Sequence, residues 1–218
     1  MSLAIFDLDN TLLAGDSDYL WGQFLIENGA VDGAAYDRAN REFYEQYKAG
    51  TLDIREFLRF ALRPLTEHDP EVLYAWREDF VRKKIEPIAL ARAKALIEEH
   101  RLAGDTLLII TATNHFVTEP IARLFGVEHL LATRPAMKHG RFTGEFVGVP
   151  TFQDGKVKAL DEWLAEREET LEGSWFYSDS HNDIPLLSRV DHPVAVDADP
   201  ELTAHAQRMG WREMSLRF

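Results

Sequence analysis

The chain has 218 residues, a formal charge of −13, 45% apolar residues and 28% charged residues. This is enough for one or two domains with a real core, and the acidic balance argues against nucleic acid, whose phosphates are bound through clustered Lys and Arg. There is no cysteine, which excludes disulfides and thiolate chemistry; no apolar run approaches the ~20 residues of a membrane span, and no basic segment followed by an apolar one opens the chain, so the expectation is a cytoplasmic protein.

The first apolar run, Leu3–Phe6, reads as a buried strand and ends in Asp7-Leu8-Asp9-Asn10-Thr11. Alternation along an extended chain sends Asp7 and Asp9 to the same side. Carboxylates that close repel, and each raises the other's pKa unless a cation lies between them. Hard oxygen donors suit magnesium. With the charge neutralised, one carboxylate can attack while the other moves protons.

Residues 15–85 read as helical throughout. Leu20, Trp21, Phe24 and Leu25 cluster on one side of the first helix, and Ile54, Phe57, Leu58, Ala61 and Leu62 form a stripe behind a capping Asp53. About seventy helical residues are too many for a loop. They are expected to form a helical cap (15–85) over a core made of 1–14 and 86–218, at the carboxyl end of the sheet where open α/β sheets bind ligands. Trp21, Phe24, Tyr44 and Phe57 are assigned to the cap's core.

Beyond the cap, Pro87–Ala103 reads as a helix ending near Gly104. Thr106–Ile110, Ser174–Tyr177 and Pro193–Val196 read as further buried parallel strands, with helices at 116–125 and from a capping Asp154. Gly140, Gly144 and Gly148 punctuate Phe142, Phe146 and Val149 and suggest a small β-ribbon within 128–152. The fold expected is α/β: a Rossmann-like parallel sheet flanked by helices, with an inserted all-helical cap and a small β-ribbon.

Three more polar sites follow strands or open a helix. Thr111 follows the second strand and precedes a helix, a placement suited to holding an anion. Lys156 lies in a helix's first turn, where the dipole disfavours a cation, and makes sense if it reaches a phosphate or offsets the carboxylates. The fourth site is Ser178-Asp179-Ser180-His181-Asn182-Asp183. In this order the four segments resemble the motifs of the haloacid dehalogenase superfamily, Asp-x-Asp-x-Thr and Ser-Asp-x-x-Asn-Asp being the specific ones, and the insert resembles the cap of its phosphoserine-phosphatase-like subgroup.

The resemblance implies a phosphatase working through an aspartyl-phosphate. Asp7 is then the nucleophile and Asp9 the acid and base. Mg²⁺ would be bound by Asp7, Asp179 and the Asp9 carbonyl, with Asp183 holding the metal's water shell or orienting neighbours. Thr111 and Lys156 would grip the phosphoryl oxygens, with Asn182 on phosphate or substrate. Phosphoryl transfer asks mainly for positioning and charge neutralisation, which this set supplies. His115 and His181 flank two motifs and are read either as pocket or as loop residues. The same scaffold leaves open a phosphotransferase or mutase, and the acidic residues, Thr and Lys also fit a receiver-like regulatory module, against which the cap argues.

Asp16 stands where phosphoserine phosphatases place an acidic residue against the substrate's amino group, and Asp18 is close enough to serve instead; the alternative for Asp16 is a helix cap. The arginine by which those enzymes hold the substrate carboxylate falls at Ala61, with Arg59 and Arg63 on other faces of the helix. The expected partner is therefore a small phosphorylated metabolite with an amino group and no carboxylate, such as histidinol phosphate, with phosphoserine as the alternative. The chain is expected to be a monomer or homodimer.

Overall fold

A computed structural model describes residues 2–167 and 169–217. In chain order the strands are β1 (Leu3–Phe6), β2 (Thr106–Ile110), β3 (His129–Leu131), β4 (Arg134–Lys138), β5 (Arg141–Val147), β6 (Trp175–Ser178), β7 (His192–Val196) and β8 (Arg212–Met214). Six of them form one parallel sheet in the order β3-β2-β1-β6-β7-β8. The chain lays strands to one side of β1 first and to the other side afterwards. The reversal lies between β1 and β6, the kind of point at which α/β sheets bind ligands.

Both faces of the sheet are covered, which is why its strands are nearly continuous apolar runs. Leu3 and Ile5 point into a core with Leu108, Ile110, Phe176, Leu160 and Trp163, while Ala4 and Phe6 point the other way, among Ile97, Ile109, Val117, Ile121 and Tyr177. This second core runs on into the helical segment through Trp21, Phe24, Leu62, Leu73 and Phe80. The helices there are α1 (Ser17–Glu27), α2 (Gly33–Lys48), α3 (Ile54–Glu67) and α4 (Pro70–Phe80). Asp16, Asp32 and Asp53 cap the first three through their side chains, satisfying amides that otherwise lack partners. A π-turn at Val81–Ile85 and a 3₁₀ turn at Glu86–Ile88 lead back to the sheet.

The outgoing and returning chain are joined there. Leu13 and Ala89 form an antiparallel bridge. Ala14 N–H donates to the Ile88 carbonyl at 2.8 Å, and Leu90 N–H to the Leu12 carbonyl at 3.1 Å.

The remaining helices are α5 (Ala91–Ala103), α6 (His115–Leu124), α7 (Asp154–Ala165), α8 (Ile184–Leu187) and α9 (Pro200–Met209). Some boundaries differ from the sequence expectations. The helix anticipated from Pro87 begins at Ala91, because Glu86–Ile88 winds as a separate 3₁₀ turn. Asp154 is the first residue of α7 and not its cap; Gln153 takes that place. Residues 128–152 divide: β3 joins the main sheet, and only β4 and β5 form the ribbon. The ribbon's turn, His139-Gly140, has positive φ at both residues (51° and 76°), as a tight hairpin requires.

Candidate active site

β1 lies between β2 and β6, with Phe6 level with Ile109 on one side and Tyr177 on the other. The residues just beyond these strands therefore emerge together. Asp7 follows β1, Thr111 follows β2, and Asp179 follows β6. The Asp7 N–H donates to the Tyr177 carbonyl at 2.9 Å, which extends the ladder by one residue and fixes where the Asp7 side chain starts.

Asp7 is 3% exposed and Lys156 1%. Lys156 Nζ donates to Asp7 Oδ1 at 2.7 Å and to Asp183 Oδ2 at 2.8 Å. Asp183 also accepts from Ser178 Oγ at 2.7 Å. Burial disfavours the Lys156 ammonium, but Asp183 and Asp7 outweigh it and hold its pKa above the ordinary value. For Asp7 burial dominates: it lifts the carboxyl to about 7, with Asp183 and Asp9 adding to the rise and Lys156 opposing it.

The Thr11 hydroxyl lies 3.2 Å from Asp7 Oδ2 and 3.1 Å from Asp179 Oδ1, and accepts from the Asp179 N–H at 3.0 Å. It has one proton to share between two carboxylates. Burial, then the Asp7 and Asp183 charges, push Asp179 well above the usual carboxylate range.

Asp9 is held differently. Oδ1 accepts from the Ser17 N–H at 2.6 Å, and Oδ2 accepts from Thr113 Oγ1 at 2.8 Å and Thr111 Oγ1 at 3.3 Å. Its carboxylate is thus aimed at the entry to α1 and at the loop after β2. Thr11, though it closes the first motif, was given no role from the sequence, and Thr113 was not singled out. The signal was available in both cases: Thr11 is two residues from Asp9 and four from Asp7, and Thr113 repeats the hydroxyl of Thr111 at the same-side spacing.

Of the four acidic residues expected around a metal, Asp7, Asp179 and Asp183 are brought together through Thr11 and Lys156, while the Asp9 carboxylate turns aside, the expectation there being its backbone carbonyl. Asp7 and Asp179 share Thr11, Asp183 is committed to Lys156 and Ser178, and Asp9 turns toward the threonines. Among the described residues, no group of three or more His, Asp or Glu side chains is disposed to hold a metal ion.

Asn182 also departs from its expected place on the phosphate. Its Nδ2 donates to the Tyr47 carbonyl at 3.1 Å and to Ser180 Oγ at 3.2 Å, and its Oδ1 accepts from Gln153 Nε2 at 2.9 Å. Both N–H groups are engaged with the protein, so neither is free to turn toward Asp7.

A cavity opens from Asp7, Asp9, Thr111 and Thr113 toward the helices, where Asp16, Asp18, Tyr19, Asn40, Tyr44, Tyr47 and Phe57 are among its walls. Asp16 both caps α1, accepting from the Tyr19 N–H at 2.8 Å, and faces this space. Burial, then Asp9, raises Asp18 to about 7, against a weak pull from Asn114; burial, then Asp9 and Asp18, raise Asp16 as well. No Lys or Arg lines the cavity among the described residues. Ala61 is buried, and Arg63 is paired with Glu67 in solvent. Trp21 and Phe24 are core residues as expected, but Tyr44 and Phe57 are cavity wall. Neither His115 nor His181 lines it; His181 Nδ1 pairs with Asp199 at 2.7 Å.

This architecture has a family. The model of the haloacid dehalogenase-like hydrolases matches residues 4–188, and the chain belongs to that family. Histidinol-phosphatase of Neisseria meningitidis serogroup C (strain 8013) is 42% identical over 220 residues, covering 99% of each chain. A protein of unknown function from Bordetella pertussis Tohama I, whose structure is solved, is 45% identical, with a TM-score of 0.93 over 99% of this chain and 98% of that one. A substrate-bound phosphoserine phosphatase shares the fold at 20% identity, with a TM-score of 0.69 over 93% of this chain and 89% of that one.

Proposed function

We propose that this protein, a phosphoric monoester hydrolase, releases orthophosphate from a small amino-bearing metabolite through an aspartyl-phosphate on Asp7. In this reading an Asp7 oxygen attacks phosphorus, the bond to the leaving oxygen breaks, and Asp9 gives that oxygen its proton. A water then attacks the acyl phosphate and yields a proton to Asp9. The bond between phosphorus and Asp7 breaks, orthophosphate leaves, and both aspartates return to their starting states. Lys156 and Thr111 hold the phosphoryl oxygens, and Asp183 keeps Lys156 in place. The carrying observation is the convergence of Asp7, Asp9, Thr111, Lys156 and Asp179 at the switch point of the sheet.

A nucleophilic Asp7 must be ionised, whereas burial holds its pKa at about 7. Asp7 and Asp179, two carboxylates with one hydroxyl proton between them, fit Mg²⁺ in the chemistry of their donors, and the Asp9 carbonyl is the third protein oxygen in this reading. Bound there, the ion would keep Asp7 charged and offset the phosphoryl charge.

The cavity supports the choice of substrate. Asp16 and Asp18 suit a cationic group, Tyr44 and Phe57 suit a flat ring, and among the described residues no lining cation is present to pair with a carboxylate. The relative named histidinol-phosphatase, similar along its whole length, points the same way, so histidinol phosphate is the substrate proposed ahead of phosphoserine. A cytoplasmic site of action belongs to the same reading and rests on the cysteine-free chain.

The test is orthophosphate release from a panel of monoesters with Mg²⁺ and with EDTA. Histidinol phosphate is expected to be turned over with kcat/KM at least about a hundredfold above phosphoserine, the discrimination that an unpartnered carboxylate imposes. Asp7→Asn is expected to be inactive. Equal or better turnover of phosphoserine would overturn the substrate assignment; an active Asp7→Asn would overturn the mechanism.

A further inference from the structure

Gln153 has a backbone that residues with a side chain rarely adopt, φ 48° and ψ −122°. Such strain persists only where the surroundings over-determine it. Although Gln153 stands at the N-cap of α7, its side chain caps nothing. It reaches instead to Asn182 Oδ1 at 2.9 Å, and Asn182 Nδ2 reaches on to the Tyr47 carbonyl at 3.1 Å. Tyr47 lies in the last turn of α2 and lines the active-site cavity.

Other contacts bind the same three segments. The Tyr47 ring tilts against Phe152, with centroids 5.9 Å apart. Gly50, at φ 67°, sits so close to His181 that a Cβ there would meet Nε2 at 2.8 Å. His181 is itself anchored on Asp199 through both its backbone N–H and its ring. The end of α2, the start of α7 and the loop after β6 therefore meet at one amide, that of Asn182.

We propose that Gln153 is a positioning residue, which through Asn182 latches the C-terminal end of α2 onto the catalytic end of the sheet. The latch sets the aromatic wall of the cavity over Asp7. Its links are neutral hydrogen bonds, each of small net worth, so the contact can release to admit substrate and free product. Its existence does not depend on which monoester is hydrolysed.

Three variants test it. Gln153→Met keeps the length and loses the donor, and Gln153→Lys restores a donor. Gln153→Gly removes the side chain while tolerating the positive φ, so strain and latch are separated. In the Met and Gly variants, amide exchange across residues 44–52 is expected to accelerate about tenfold, the factor of one to two neutral hydrogen bonds. KM for the best monoester of the panel should rise by a similar factor, with kcat within about twofold. Inhibition by inorganic phosphate, which needs only the core groups, should not change, and Gln153→Lys should recover both properties.

Unchanged exchange across 44–52 in Gln153→Met would overturn the latch, as would failure of the Lys variant to recover it. Loss of phosphate inhibition in parallel with KM would overturn it too, since Gln153 would then act through the start of α7. The exchange arm needs no turnover, so it decides the latch even if the proposed substrate is wrong.

Discussion

Thr113 holds Asp9 by its shortest side-chain contact, 2.8 Å. Thr113→Val keeps the shape and removes that donor, leaving Asp9 with the Ser17 N–H and the longer Thr111 bond. A fall of about tenfold in kcat is expected, the worth of one hydrogen bond, with the melting temperature little changed; steady-state kinetics and a thermal melt check both. Lys156→Met is a different case. It leaves Asp7 and Asp183 buried without their cation, and breaking such a pair costs about 3–5 kcal/mol. Lys156 lowers the Asp7 pKa in the parent, so in the variant Asp7 rises further and its folded form takes up a proton that the unfolded form releases. The loss of stability is therefore expected to be smaller at pH 5 than at pH 8, as urea unfolding at the two values would show. The meeting of Asp7, Asp9, Thr111 and Lys156 was legible because each follows a strand or opens a helix, and strand ends on one sheet edge meet without further information. Asn182 was not, since its orientation is decided by a carbonyl 135 residues earlier in the chain.

At the scale of elements, α7 carries Lys156 and is seated by a glycine. A Cβ on Gly155 would lie 1.9 Å from the Pro150 carbonyl oxygen, which is backbone and cannot swing aside. Gly155→Ala is expected to shift the first turn of α7, cut activity at least about a hundredfold by misplacing the neighbouring lysine, and lower the melting temperature; an active variant with the parent's melting curve would contradict this. The cap of α3 is simpler: Asp53→Ala removes bonds to the Arg55 and Glu56 amides and should cost about 1 kcal/mol, read by denaturant midpoint. The helix behind its capping Asp53 and the apolar central strands were legible because local chemistry and burial agree there. β3 and β8 were not, being three residues long, at the sheet edges and partly polar. Tyr44 and Phe57 were misread for another reason. Helical spacing marks the side of a helix that leaves solvent, and an enclosed cavity and a packed core look alike to it.

For the molecule as a whole, the acidic cavity makes stability depend on protons and cations together. Burial and mutual repulsion lift Asp7 and Asp18 to about 7. A carboxyl raised in the folded state lends stability that is full below its unfolded pKa of about 4 and is lost as pH climbs through about 7. In EDTA these groups should therefore lower the melting temperature between pH 5 and pH 8. A divalent ion competes with those protons, so added Mg²⁺ should stabilise more at pH 8 than at pH 5. At a hundred times its Kd the gain is about 2.7 kcal/mol, or roughly 5–10 °C for a chain of this size. Parallel melting curves with and without Mg²⁺ across this pH range would argue against the ion.

The clasp formed by Leu13 and Ala89 has a consequence for how such a protein can be rebuilt. Because the chain departs for the helices and comes home at adjoining points, the two ends of that excursion are already stitched together. Whatever is spliced between them must start and finish a few ångströms apart and must also refill the apolar core that the sheet shares with Trp21, Phe24, Leu62, Leu73 and Phe80. On the proposed reading, the scaffold thus offers a socket in which the segment walling the cavity can be exchanged while Asp7, Thr111 and Lys156 keep their places on the sheet.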